Sequence, residues 1–210
     1  MEPSPSMPED RQVPSPERGR VLLAIARESI ALALGQGAPS PQPSVSPPAE
    51  PWLAEPGATF ITLTRDGELR GCIGSLEAQR PLGQDVWENA RAAAFRDPRF
   101  PPLQKEELPR IAVEVSVLGP AVPLPVRSEA EALARLRPGR DGVVLEYLGG
   151  RGGQGASATF LPQVWEQLPD PASFLAQLKR KAGLPPGFWS PEIRLSTYEV
   201  TKWEEEPSHP

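Results

Sequence analysis

Residues 59–76, TFITLTRDGELRGCIGSL, decide the fold of this chain. The first six are β-branched, aromatic or apolar, a composition typical of a strand. Asp66-Gly67 then predicts a tight turn, and Glu68 to Leu76 returns as the second strand of a β-hairpin. Helical patterns flank this hairpin, since Arg18 to Leu34 and Pro81 to Phe95 place apolar residues at three- and four-residue spacing.

The rest of the chain continues this mixture of strands and helices. Alternating or β-rich patterns predict strands over Arg110–Leu118, Gly142–Leu148, Ala156–Phe160 and Ile193–Trp203. Short helices are predicted over Glu129–Leu136, over Pro162–Leu168, and from the N-cap pair Asp170-Pro171 to the basic triplet Lys179-Arg180-Lys181. Hairpins interspersed among helices indicate an α+β fold with mainly antiparallel sheets flanked by helices.

Proline-rich stretches divide the chain of 210 residues. We predict a disordered proline-rich tail over residues 1–17, because this segment has few large apolar side chains and lacks the pattern of a signal peptide. One domain is predicted over 18–205, with a proline-rich insertion at 38–56, and a short tail over 206–210. No stretch of 18 consecutive apolar residues is present, so no membrane span is predicted.

Composition argues against several classes of function. The net charge is −5, and the arginines are scattered, so binding of nucleic acid has no support. The one histidine, His209, lies next to the last residue, which argues against Ser-His-Asp and Cys-His catalysis and against a zinc site. We predict no metal and no cofactor. The one cysteine, Cys72, cannot form an internal disulfide, and we expect a cytoplasmic protein.

The strand Leu69-Arg70-Gly71-Cys72-Ile73-Gly74 carries the strongest candidate for chemistry. Regular alternation would place Arg70 and Cys72 on one face, roughly 7 Å apart, with Leu69 and Ile73 on the opposite, core face. A guanidinium beside a thiol favours the thiolate, as in a reactive or ligand-contacting cysteine. The alternative is that Cys72 is a small buried apolar residue.

Two glycines in this strand need a structural reason. Gly71 and Gly74 weaken a strand unless another backbone approaches closely or a bulge is required. They therefore predict a tightly packed or irregular strand around Cys72.

The six-residue strand motif resembles the signature of the AMMECR domain family, whose prokaryotic members are called AmmeMemoRadiSam system protein A. The similarity covers roughly residues 18–205, through AFRDPRFPP (94–102), VEVSVL (113–118), DG (141–142), TFLPQVW (159–165) and KAGL (181–184). The resemblance implies a larger and a smaller subdomain with a cleft between them. It also implies a genomic association with a Memo-like protein and a radical SAM protein, but no established reaction. The second cysteine frequent before Lys181 in this family is absent here, which argues against a two-cysteine mechanism.

Several polar residues in the resembling segments are open to two interpretations. Arg96, Asp97 and Arg99 form either a structural ion-pair loop or an anion clamp. Glu114 and Ser116 lie on the non-core face of their strand, where they are either solvated or close enough to a thiol for proton transfer.

Three further candidates lie later in the chain. Thr159 and Gln163 either cap the helix that begins at Pro162 or bind a ligand, and Lys181 is the member of the basic triplet assigned to function. Lys179 and Arg180 are interpreted as the cap of a helix end.

Two functions follow from these residues. The first is an accessory or binding component that works with the Memo-like and radical SAM proteins. The second is a small enzyme acting on an anionic or nucleic-acid-derived substrate, with Cys72 and Glu114 as catalytic residues. In either case the predicted ligand-binding residues are Arg70, Gly71, Gly74, Arg96, Asp97, Arg99, Ser116, Thr159, Gln163 and Lys181.

Overall fold

The computed structural model describes residues 15–35, 50–149 and 155–206. These ranges contain four α-helices, α1 (Pro16–Ala33), α2 (Leu82–Phe95), α3 (Glu129–Arg135) and α4 (Pro171–Lys181). They also contain nine strands: β1 (Pro56–Arg65), β2 (Glu68–Gly74), β3 (Arg80–Pro81), β4 (Ile111–Leu118), β5 (Val122–Leu124), β6 (Gly142–Tyr147), β7 (Ala156–Phe160), β8 (Ile193–Tyr198) and β9 (Val200–Glu204). Short 3-10 helices cover Pro51–Leu53, Lys105–Arg110 and Pro162–Glu166. The predicted α+β class with antiparallel sheets is confirmed.

The chain divides into two compact units, of which the first runs to Ser116 and resumes at Lys202. Its sheet has the order β2-β1-β4-β9, and β3 pairs with the start of β1. Helix α2 packs on β1 and β2, and α1 packs on α2. The core between these elements is aliphatic, with Ile61, Leu63 and Val86 fully buried.

The second unit runs from Val117 to Thr201 and contains the antiparallel sheet β5-β8-β6-β7. The predicted hairpin of β6 and β7 is present, while residues 150–154 of its glycine-rich loop lie outside the described residues. Trp165 is a core residue, since it is buried, stacks on Phe174 at 3.7 Å and donates its indole N–H to the Asp141 carbonyl at 2.7 Å.

Two predicted elements are wrong in part. The closing strand is interrupted at Glu199, and its halves, β8 and β9, belong to different sheets. Within the predicted proline-rich insertion, Pro51–Leu53 form a 3-10 helix with Leu53 buried, and Pro56 already begins β1. Residues 1–14 and 207–210, and residues 36–49 of the predicted insertion, lie outside the described residues.

Helix α1 begins at Pro16, earlier than predicted, because the Ser15 hydroxyl caps the backbone N–H of Arg18. Among the helices described, none combines the length and apolar character needed to cross a bilayer.

Candidate functional site

Strand β2 contains a β-bulge at Arg70. Two consecutive residues of β1 pair with Gly71 and with Leu69, so Arg70 between them has no partner across the ladder. An extra residue reverses the alternation of side chains on one side of the bulge. The prediction that Arg70 shares the face of Cys72 is therefore wrong, and Leu69, expected in the core, is 43% exposed.

The buried Arg70 side chain forms a bidentate ion pair with Glu107. Its Nε and Nη2 atoms each donate to this carboxylate at 2.9 Å. The hydrogen bonds from Arg70, with further help from the Gln104 backbone N–H and from Arg65, lower the pKa of Glu107 to about 2. Arg70 thus attaches the hairpin to the 3-10 helix at Lys105–Arg110 and is not available to the thiol.

The main chain of Cys72 is held on both sides of the residue. Its N–H donates to Oδ2 of Asp97 at 2.8 Å, and its carbonyl accepts from Nη2 of Arg99 at 3.3 Å. The half-buried thiol accepts a hydrogen bond from the Thr62 hydroxyl on β1, at 3.5 Å. Cys72 therefore has a fixed backbone and is itself only half-buried.

Asp97 and Arg99 form the ion pair that holds this backbone. The buried carboxylate accepts from Arg99 Nη2 at 2.7 Å, Nε at 3.0 Å and the backbone N–H at 3.1 Å. These bonds, together with the N–H of Cys72, keep the pKa of Asp97 well below its usual range despite burial. Asp97 raises the pKa of Arg99, and the nearby Cys72 sulfur raises it further. Arg99, not Arg70, is the guanidinium beside the thiol.

The other predicted residues of the first unit do not join this cluster. Arg96 is largely exposed and lies 3.9 Å from Glu88. Glu114 accepts from the Ser116 hydroxyl at 3.1 Å and lies 3.5 Å from Lys202 on β9. Both residues are on β4, which β1 separates from the strand of Cys72.

Thr159, Gln163 and Lys181 belong to the second unit. The N-cap residue of the helix at Pro162–Glu166 is Leu161, which makes no side-chain cap hydrogen bond, so Thr159 does not occupy the predicted capping position. The Thr159 hydroxyl is instead 3.0 Å from the hydroxyl of Tyr198, and Gln163 lies within the helix. Lys181 Nζ donates to the Thr159 carbonyl at 3.0 Å, joining α4 to β7.

Lys179 was interpreted as part of a capped helix end, but it is completely buried. Its Nζ donates to Glu129 Oε1 at 2.6 Å and to the Pro186 carbonyl at 3.0 Å, and it lies 5.7 Å from the centre of the Trp189 ring. These partners satisfy the ammonium group, so Lys179 joins α4 to α3. Helix α4 ends at Lys181, and Gly183, two residues beyond, has the φ of 79° expected of a left-handed position after a helix end.

A buried polar cluster beside the end of β2 is not predicted from the sequence. The Asp85 carboxylate is 1% exposed and accepts from the Thr59 N–H and hydroxyl, from Ser75, from Arg80 and from Asn89, at 2.7–2.9 Å. The sequence carries one indication of this cluster, because the polar residues Asp85 and Asn89 are four residues apart on the apolar stripe of α2. Within the described part of the chain, no group of three or more His, Cys, Asp or Glu could hold a metal.

The model of the AMMECR1 family matches residues 23–203, and the chain belongs to this family. A protein of Methanothermobacter thermautotrophicus is 39% identical, over 91% of this chain and 96% of its own length. Protein MK0488 of Methanopyrus kandleri is 38% identical, over 90% and 89%. The crystal structure of the uncharacterized protein PH0010 from Pyrococcus horikoshii matches with a TM-score of 0.75 and 34% identity, over 91% of this chain and 93% of the other.

Proposed function

We propose that this AMMECR1-family protein is an accessory component that holds an anionic ligand at Cys72 and Arg99 and works with a Memo-like and a radical SAM protein. The supporting observation is the set of groups around the thiol. The thiol accepts a hydrogen bond from the Thr62 hydroxyl, the Arg99 guanidinium donates to the Cys72 carbonyl, and neither group is a general base.

Thiol catalysis needs a group that removes a proton from the nucleophile or from the substrate. Asp97 is a poor candidate, since its carboxylate is bonded to Arg99 and to the Cys72 N–H and its pKa is far below neutrality. Glu114 already has Ser116 and Lys202 as partners. A fixed backbone with an arginine at the sulfur suits binding better than proton transfer.

A second candidate function is an enzyme that uses Cys72 on an anionic or nucleic-acid-derived substrate. Arg99 favours this candidate, because its guanidinium lies beside Cys72 and an arginine fork can bind a carboxylate or phosphate of the substrate. A substrate could then supply its own acid or base, with Glu114 as the predicted proton-transfer residue.

The test is reconstitution with the Memo-like and radical SAM proteins encoded in the same genome. We expect the full chain to co-elute with at least one of them in size-exclusion chromatography. Cys72→Ser is expected to leave this association intact, because the hydrogen bonds of the Cys72 backbone with Asp97 and Arg99, and not the sulfur, hold the site together. Failure of the wild-type chain to bind either protein would reject the accessory function, and product formed by the chain alone, lost in Cys72→Ser, would establish the enzyme.

A further inference from the structure

A cavity of about 570 Å³ lies beside the end of β2. Residues 74–77, Gln79, Arg80 and Asp85 line it, and all belong to the first unit. This volume is within the range of roughly 300–1,000 Å³ that is usual for small-molecule sites. The lining contains one basic and two acidic side chains, and these charges limit the class of ligand that the cavity can bind.

Arg80 is held in one orientation by the buried cluster beneath the cavity. Its Nε donates to Asp85 at 2.7 Å, and its Nη2 donates to the Ser75 hydroxyl at 3.0 Å. Within the described ranges Nη1 donates to no protein atom, and 36% of the side chain is exposed. The guanidinium is therefore a preorganised donor with unused N–H groups, which reduces the entropy lost when a ligand binds.

The charges around Arg80 restrict the ligand. Asp85 already balances the charge of Arg80, while the exposed Glu77 adds a negative charge whose described side-chain partner is the neutral amide of Gln79, at 2.6 Å. The lining is thus net negative, which disfavours a polyanion and attracts a cationic nitrogen. Leu76, 52% exposed, adds apolar surface beside these polar groups.

We propose that this cavity binds a small zwitterion of the amino-acid class. The carboxylate accepts hydrogen bonds from Nη1 of Arg80, the ammonium group pairs with Glu77, and the side chain lies along Leu76. This binding site is separate from the contacts of the Cys72 sulfur, and it does not depend on association with the Memo-like or radical SAM proteins.

The probes are the twenty standard L-amino acids, each titrated into the ¹⁵N-labelled full chain. We expect at least one to shift the NMR signals of residues 74–80 with a Kd of about 1 mM or tighter. Its analogues without the amino group or without the carboxylate should bind about tenfold more weakly or worse. The absence of shifts with every amino acid, or equal binding of the analogue without the amino group, would overturn the proposal.

Variants separate a ligand site from a purely structural cluster. Glu77→Gln should weaken binding of the amino acid about tenfold and should not weaken binding of the analogue without the amino group, since that anion has no ammonium group to pair with Glu77. Glu106→Gln makes the same charge change at an exposed position and should have no effect. Arg80→Lys keeps the positive charge but loses the paired N–H donors of the guanidinium, so the affinity for the amino acid should fall. A thermal melt of this variant checks that it is folded. Unchanged affinity in Glu77→Gln would contradict the proposal even if Arg80→Lys proved unstable.

Discussion

Gly71→Ala is the sharpest test of the packing beneath Cys72. An added Cβ at this position would lie under 3.0 Å from the backbone carbonyl oxygen of Ala93 in α2, and 3.1 Å from its carbonyl carbon. Neither neighbour is a flexible side chain, so β2 or α2 must move as a whole. Overpacking of this kind costs about 1–3 kcal/mol, and we expect ~3 kcal/mol because two backbones have to separate.

Urea denaturation followed by circular dichroism measures this loss, as a lower midpoint with an unchanged slope. Gly83→Ala is the matched control in the same unit, because its Cβ would meet Leu53 at an ordinary 3.5 Å. It should be neutral or stabilising by about 0.5–1 kcal/mol. If Gly71→Ala were within about 0.5 kcal/mol of the wild type, the contact between β2 and α2 would not be as close as the structure describes.

Three further outcomes are expected. Glu107→Gln should lower the free energy of unfolding by about 2–3 kcal/mol at pH 7, because Glu107 contributes stability above its ordinary pKa of 4.5 that is lost as pH falls towards about 2. Urea denaturation should show a smaller difference in the free energy of unfolding between wild type and variant at pH 3 than at pH 7. An equal difference at the two pH values would contradict the ion pair. Arg99→Gln should lower the free energy of unfolding by about 1–3 kcal/mol, because it leaves the buried Asp97 carboxylate without its ion-pair partner, whereas Arg96→Gln at an exposed position should change it little; equal losses in the two variants would contradict the role of the Asp97–Arg99 pair. Lys179→Ala should destabilise the second unit by about 3 kcal/mol, since it leaves Glu129 without its cation; a thermal melt unchanged from the wild type would refute that role.

Most of the secondary structure could be predicted because local signals agree with the fold. The Asp66-Gly67 turn sets the hairpin, and the observed β1 and β2 end close to the predicted bounds. The interruption at Glu199 could not be predicted, because the apolar pattern continues through it and the exchange of sheets is a tertiary event. The short β5 was missed for a similar reason, since its three residues carry too little periodicity.

The candidate site was predicted less well than the fold. The strand was located and its glycines were interpreted correctly, since Gly71 meets a backbone and a bulge is present. The predicted face of the strand for Arg70 is wrong, because strict alternation of side chains requires that each residue has one partner across the ladder. The cluster around Asp85 was missed, because a polar residue in a first helical turn has an adequate local explanation in the helix dipole.

Because of the bulge, neighbouring residues of β2 have different roles on its two faces, and substitutions in β2 must be interpreted face by face. Arg70 and Gly71 face the packed interior, through Glu107 and Ala93, while Cys72 is on the opposite face beside Thr62. Loss of Arg70 breaks a buried ion pair and should abolish any activity through instability alone. Cys72→Ser leaves both packing contacts in place. A functional role for the sulfur is therefore established only by a Cys72 variant whose free energy of unfolding matches that of the wild type.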